Sequence, residues 1–286
     1  MKKNYFILLL MATLIALVGC QVQAPLPPTP TPTQPAPTVP VVEPTPTPQQ
    51  EPQITPETEE PMLPYESIMI LSPGSGSRVT NPIQLRGEAD PTFEQNLVIR
   101  GLADDGTLLL ETFTNIQADM GQRGPFEAEF NLELEEERNV FIQVFAVDAR
   151  DGAVEDLSSV GVMFSPVGPE EIVVRTPQAE QIVIITPRPG DTLSGGVIIV
   201  EGFGWASFEQ TLVVELYALQ DETNNILLAQ VPVMVQSLEW GVPGPFQAEL
   251  TYTLAEPGPG RVVVRDISPA HGDNSHLSSI VVQLEP

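Results

Sequence analysis

From Glu66 to the C-terminus, apolar and polar positions alternate with a period of two. Phe126, Ala128, Phe130, Leu132 and Leu134 interleave with Glu127, Glu129, Asn131, Glu133 and Glu135. A helix would spread those apolar side chains around its circumference, whereas a strand sorts them onto one face. The run recurs as Phe246, Ala248, Leu250, Tyr252 and Leu254, with Gln247, Glu249, Thr251 and Thr253 between them. Further strands are predicted over 68–71, 83–89, 96–102, 107–114, 140–147 and 158–164. A second set covers 182–186, 197–203, 210–219, 225–235, 260–267 and 278–284. Asp104-Asp105-Gly106, Asp151-Gly152 and His271-Gly272 supply turns between apolar runs. Seven short strands per set predict an all-β chain with two tandem antiparallel sandwiches of the immunoglobulin type.

The two sets are copies. Phe93-Glu94-Gln95, Gly124-Pro125-Phe126 and Leu157-Ser158-Ser159 return in order as Phe208-Glu209-Gln210, Gly244-Pro245-Phe246 and Leu277-Ser278-Ser279. The expected organisation is a signal segment over 1–19, a stalk over 20–64, modules over 65–166 and 181–286, and a semi-rigid linker over 167–180. Phe126 and Phe246 are expected to enter the core after each Gly-Pro turn. Phe93 and Phe208 are expected to plug one end of each sandwich. Glu94 and Glu209 would pin a loop through backbone N–H groups or bind a cation.

Ahead of the first module the chain changes character. Lys2 and Lys3, an apolar run from Tyr5 to Val18 and the sequence Leu17-Val18-Gly19-Cys20 read as an export signal ending in a lipobox. The run is short for a spanning helix, and Cys20 is the only cysteine, so the expectation is lipidation at Cys20 and a membrane anchored through that lipid. Thr29-Pro30-Thr31-Pro32 and Pro44-Thr45-Pro46-Thr47-Pro48 mark a Pro/Thr-rich tether that in polyproline II geometry would reach roughly 130 Å.

Charge narrows the partners. The formal net charge is −26, with 38 acidic residues against 12 basic ones, and loss of Lys2 and Lys3 with the signal makes the balance more acidic still. Such a surface repels nucleic acid and anionic head groups. No nucleophile elbow, phosphate-binding glycine loop or zinc signature is present, so no catalytic residue and no cofactor are expected. His271, Asp273 and His276 form the one weak metal candidate, set against a plain exposed turn. Asp104 with Asp105, and Asp148 with Asp151, are weak calcium candidates. Trp205 and Trp240 lie in loops where the first copy has no tryptophan; they would either anchor a partner such as an envelope protein or a cell-wall glycan, or cap the core.

Several landmarks together carry a family resemblance: Ser72-Pro73, Asn81-Pro82 before Ile83-Gln84-Leu85-Arg86-Gly87, Phe93-Glu94, Asp105-Gly106 and Gly124-Pro125-Phe126. They resemble the bacterial spore-germination immunoglobulin-like domain, and the second copy matches through Thr186-Pro187, Gly202, Phe208-Glu209 and Gly244-Pro245-Phe246. The copy departs at Gly195-Gly196, which replaces Asn81-Pro82, and at the longer hairpin 221–225. The resemblance implies an immunoglobulin-like fold, an extracytoplasmic setting and no catalysis, with a link to germination among the roles it opens. The function expected is that of a non-catalytic envelope lipoprotein displaying two binding or structural modules. The alternative is a cation-dependent carbohydrate-binding or adhesion protein.

Overall fold

The computed structural model describes residues 63–220 and 225–286. The signal segment, Cys20 and the Pro/Thr tether lie outside the described residues. The first module contains β1 (Ile68–Ser72), β2 (Arg78–Val79), β3 (Ile83–Ala89), β4 (Asn96–Ala103), β5 (Leu108–Asn115), β6 (Gly124–Phe130), β7 (Arg138–Val147) and β8 (Val154–Phe164). The second contains β9 (Ile182–Thr186), β10 (Thr192–Leu193), β11 (Val197–Gly204), β12 (Thr211–Leu219), β13 (Asn225–Met234), β14 (Gly244–Thr251), β15 (Gly258–Ile267) and β16 (Asn274–Leu284). The described fold is all-β, as the alternation requires.

Each module faces a three-stranded sheet, β1-β3-β6 or β9-β11-β14, against a larger one. Alternate residues meet between the sheets. Leu85, Leu97, Ile99, Phe126, Ile142, Val144 and Phe164 fill the first core; Val200, Leu212, Val214, Phe246, Leu250, Val262 and Val264 fill the second. The inward set of β14 continues past its end at Tyr252, whose hydroxyl donates to the Glu285 carbonyl at 2.8 Å and lies 3.1 Å from that of Leu193. In the first copy the ladder stops at Phe130, yet Leu132 stays buried. The Asn81 side chain substitutes for a strand there, accepting from Leu132 N–H at 2.9 Å and donating to Leu132 carbonyl at 2.8 Å.

The larger sheets are one. Their strands run β13-β12-β15-β16-β8-β7-β4-β5 in a ten-stranded sheet that also takes in β2 and β10. The join is antiparallel: His276 opposes Ser158, Leu277 opposes Leu157 and Ser278 opposes Asp156. The sequence predicts strands only from 158 and 278, after the turns at Asp151-Gly152 and His271-Gly272, whereas β8 begins at Val154 and β16 at Asn274. Val154 pairs with Val147 and Asn274 with Ile267 in their own hairpins, and the other module adds a second partner only along 156–158 and 276–278, a pairing that hydropathy cannot report. The far halves of β8 and β16 pair in parallel with the two-residue strands β2 and β10.

The segment after β8 is a strap along the first module. Glu171 pairs with Arg78, Gly74 N–H donates to Val173 carbonyl at 2.7 Å, and Arg175 N–H donates to Leu71 carbonyl at 2.8 Å. At its end Ala179 bridges to Tyr65 and Glu180 N–H donates to Pro64 carbonyl.

One packing device occurs in both copies. Phe126 opposes Gly87 across β3–β6, and Phe246 opposes Gly202 across β11–β14. Each ring lies where the glycine's side chain would be, so a Cβ on Gly87 would run into the Phe126 ring and the Met69 carbonyl. Truncating Phe126 or Phe246 to alanine is therefore expected to cost about 3–5 kcal/mol. Gly87→Ala should also destabilise, by overpacking, on the order of 1–3 kcal/mol. Denaturant melts of the full chain check both, and losses near zero would refute this packing.

Candidate functional site at the module junction

The strap delivers Glu180 to the junction, where β16 delivers His276. The carboxylate meets His276 Nε2 at 2.6 Å and accepts from the N–H groups of Ser67 at 2.7 Å and Gln181 at 2.8 Å. Glu66 lies beside it and pairs with Arg175 at 2.9 Å, its other oxygen without a partner. Asp156 comes from β8. Asp266, on β15, accepts from the N–H and hydroxyl of Ser207 and from Gln181. Next to this polar hub lies a cleft of about 580 Å³ bordered by Glu66, Arg175, Glu180 and Gln181 on one side and Trp205, Gly241 and Pro243 on the other. The Trp205 indole N–H is buried there without a partner.

These groups perturb one another. Burial works against an imidazolium at His276, but the hydrogen bond and charge of Glu180, with Glu66 and Asp156 behind them, outweigh it and raise its pKa above 6.5. Burial would lift Glu180 as well, yet His276 and the N–H groups of Ser67 and Ile182 bring it below 4.5. At Asp156 the balance goes the other way: burial, then the charge of Glu180, outweigh His276 and the Ser278 hydroxyl and push its carboxyl up to about 7. Burial raises Glu66 and Asp266 too, offset by Arg175 and Ser207 respectively.

The sequence-derived candidates fall in different places. His271, Asp273 and His276 are not brought together. His276 is bound to Glu180, while His271 is buried against the Phe141 ring, its Nδ1 accepting from Asp273 N–H at 3.2 Å. The expected exposed turn is thus corrected, because the first module covers it. Among the described residues no group of His, Cys, Asp and Glu is placed to hold a metal ion. The calcium candidates are occupied by guanidinium groups: Arg138 pairs with Asp104 and Asp105, and Arg261 with Asp148 and Asp151.

Phe93 and Phe208 do not plug the sandwich; they are 59% and 50% exposed. The reason is local backbone. Glu94, Gln95, Glu209 and Gln210 all take positive φ values between 48° and 55°, a left-handed turn that swings the phenyl outward. Glu94 and Glu209 are exposed and pin no loop through their carboxylates. The glutamine after each does: Gln95 Nε2 donates to the carbonyls of Asp119 and Gln122 at 3.1 and 3.0 Å, and Gln210 Nε2 to that of Glu239 at 2.9 Å. Sequence reasoning passed over these glutamines although they belong to the repeated triplet.

That pin gathers the loop end of the second module. Trp240 is 75% exposed, with Leu238, Val242 and Phe208 exposed around it, and Trp205 is half-buried beside Gly241. The corresponding loop of the first module exposes Met120 near Phe93.

Comparison with known proteins gives a family for the first module. Residues 67–153 match the immunoglobulin-like domain of bacterial spore germination, so the chain carries a domain of that family, and the second module repeats its landmarks. No curated protein matches the chain. Among solved structures it is similar to a marsupial T cell receptor, at 7% identity and a TM-score of 0.25, over 77% of this chain and 74% of that one. It is also similar to CBD12 from CALX1.2, at 10% identity and a TM-score of 0.19, over 76% and 98%. Among the described residues no helix is long and apolar enough to cross a membrane.

The hub fixes how stability varies with pH. His276, with its raised pKa, contributes stability that is complete below 6.5 and is lost as pH rises through its higher folded value. Between 3.8 and about 7 folded Asp156 keeps a proton that the unfolded chain has released, so stability again falls as pH rises. Glu180 acts oppositely, its contribution disappearing as pH drops below 4.5. Denaturant midpoints of the full chain should therefore decline from pH 5 to pH 8. Asp156→Asn should shallow that decline and be more stable than the parent at pH 8. An Asp156→Asn profile parallel to the parent's would contradict this reading.

Proposed function

We propose that the chain is a non-catalytic lipoprotein of the bacterial cell envelope, anchored through Cys20, that holds two docked immunoglobulin-like modules away from the membrane and binds through the loop end of the second. The observation that carries this reading is that Phe208, Leu238, Trp240 and Val242 are all exposed on two loops tied together by the Gln210–Glu239 hydrogen bond, with Gly241 and Pro243 of one of them bordering the cleft of Trp205. Contiguous exposed apolar surface rimmed by polar groups marks interaction sites, and indole is enriched where binding energy concentrates. The rigid sandwich supplies a frame on which loops can be placed without loss of fold. The partner class is an envelope protein or cell-wall glycan, since the acidic surface disfavours nucleic acid. The carboxylates most suggestive of chemistry are engaged by arginines or by His276, which supports binding over catalysis.

Trp240→Ala should leave the melt unchanged and weaken binding to envelope extracts by about 1 kcal/mol or more. Trp205→Ala should weaken it as well. Titrating purified full chains against cell-wall and extract fractions measures both, and parental affinity in the two variants would make the protein a spacer.

The anchor has its own test. Cys20→Ser should release the protein from membranes or leave it unprocessed, as judged by fractionation and by the mass of the product. A variant that is cleaved normally and still sediments with membranes would refute lipid anchoring.

A further inference from the structure

The junction is built on an approximate two-fold axis. β15 and β16 repeat β7 and β8 strand for strand, with 10 and 11 residues in each. Leu157 opposes its own counterpart, Leu277, across the joining ladder. On either side the pairs His276–Ser158 and Ser278–Asp156 are the same two positions exchanged. A strand meeting its own duplicate in this way has the geometry of an isologous interface, in which each contact is mirrored with the partners reversed. The flanking hydroxyls follow it approximately. Ser159 donates to Ser275 carbonyl at 2.7 Å, and its counterpart Ser279 donates to Val154 carbonyl at 3.3 Å.

Two further mirrored contacts have diverged in chemistry. The fourth residue of β7 is Phe141 and that of β15 is Arg261; the residue before the hairpin glycine is Asp151 in the first copy and His271 in the second. Phe141 meets His271 of the second module, ring centroids 4.3 Å apart and planes at 48°. Arg261, with its side chain only 2% exposed, reaches in the mirrored direction to Asp151 of the first module at 3.0 Å and to Asp148 at 2.5 Å. The position corresponding to Asp148 in the second copy is Ser268, which carries no charge.

We propose that this face of each module is a pairing surface whose partner is the opposite kind of module, and that its diverged contacts bar each module from its own kind. Asp148 would keep Arg150 of its own module, at 2.6 Å, but two first modules docked in this geometry would set Phe141 against Asp151 and bury Asp151 without Arg261. Two second modules would bury Arg261 against His271 and Ser268, a cation with no carboxylate. A buried charge left alone costs far more than a buried pair is worth, so specificity comes from the penalty on the wrong pairing. Copies of the chain crowded on one surface would then close internally, first module on second, and not link to one another through this face.

The test uses the full chain and its thermal midpoint. Phe141→Arg or Arg261→Phe alone should lower the midpoint by roughly 5–15 °C. The matched doubles, Phe141→Arg with His271→Asp and Arg261→Phe with Asp151→His, should recover most of that loss, whereas the mismatched double, Phe141→Arg with Asp151→His, should recover none. If Phe141→Arg alone does not fold, its effect is read in the His271→Asp background: there it should raise the midpoint. Matched doubles no better than the mismatched one, or a Phe141→Arg change that lowers the midpoint in the His271→Asp background, would overturn the proposal.

Discussion

The antiparallel pairing of residues 156–158 with 276–278 is the constraint on which the rest of the architecture depends. It converts two sheets into one and makes interior strands of what would otherwise be free edges at β8 and β16. Around it Phe145, Leu157, Val263 and Leu277 close an apolar cluster with Val98, Val147, Val154 and Tyr217. Backbone ladder, apolar cluster and ion pairs therefore act at one place, and the relative placement of the modules follows from them and not from the length of the connection.

The strap supports the same end. Its hydrogen bonds to β1 and β2 hold it on the first module, so Glu180 arrives at a fixed position between Ser67 and His276. A carboxylate held by Ser67 of the first module and by Gln181 and His276 at the second resists separation of the two. Concentrating Glu66, Asp156, Asp266 and His276 around it makes the stability of the junction depend on pH. The loops around Trp240 are exposed and apolar, and they meet this hub across the cleft that Trp205 and Gly241 share with Glu66 and Glu180.

Much of the fold was legible in the sequence because period-two alternation is a local property. Ile83–Ala89 and Ile182–Thr186 have the bounds that hydropathy assigns, and the inward set of Phe246, Ala248, Leu250 and Tyr252 is buried as the pattern requires. What could not be read was non-local. His276 is in a polar stretch that pairs with Asp266 in its own hairpin and also with Ser158 of the other module, and Phe93 turns outward because Glu94 and Gln95 adopt a left-handed backbone that no hydropathy pattern encodes. The two-residue strands β2 and β10 carry no periodicity at all. For the candidate site, composition singled out Trp240 by its rarity and the repeated triplet carried Gln95 and Gln210, while Glu180 and Arg261 gave no signal apart from their place in the fold.

The central claim is that two modules joined through β8 and β16 move as one body. Residual dipolar couplings of the backbone amides, measured on the full chain in a weakly aligning medium, test it directly. The account predicts that couplings from β1–β8 and from β9–β16 fit a single alignment tensor with the modules oriented as described. Two tensors differing in magnitude and direction, as independently reorienting domains give, would contradict it.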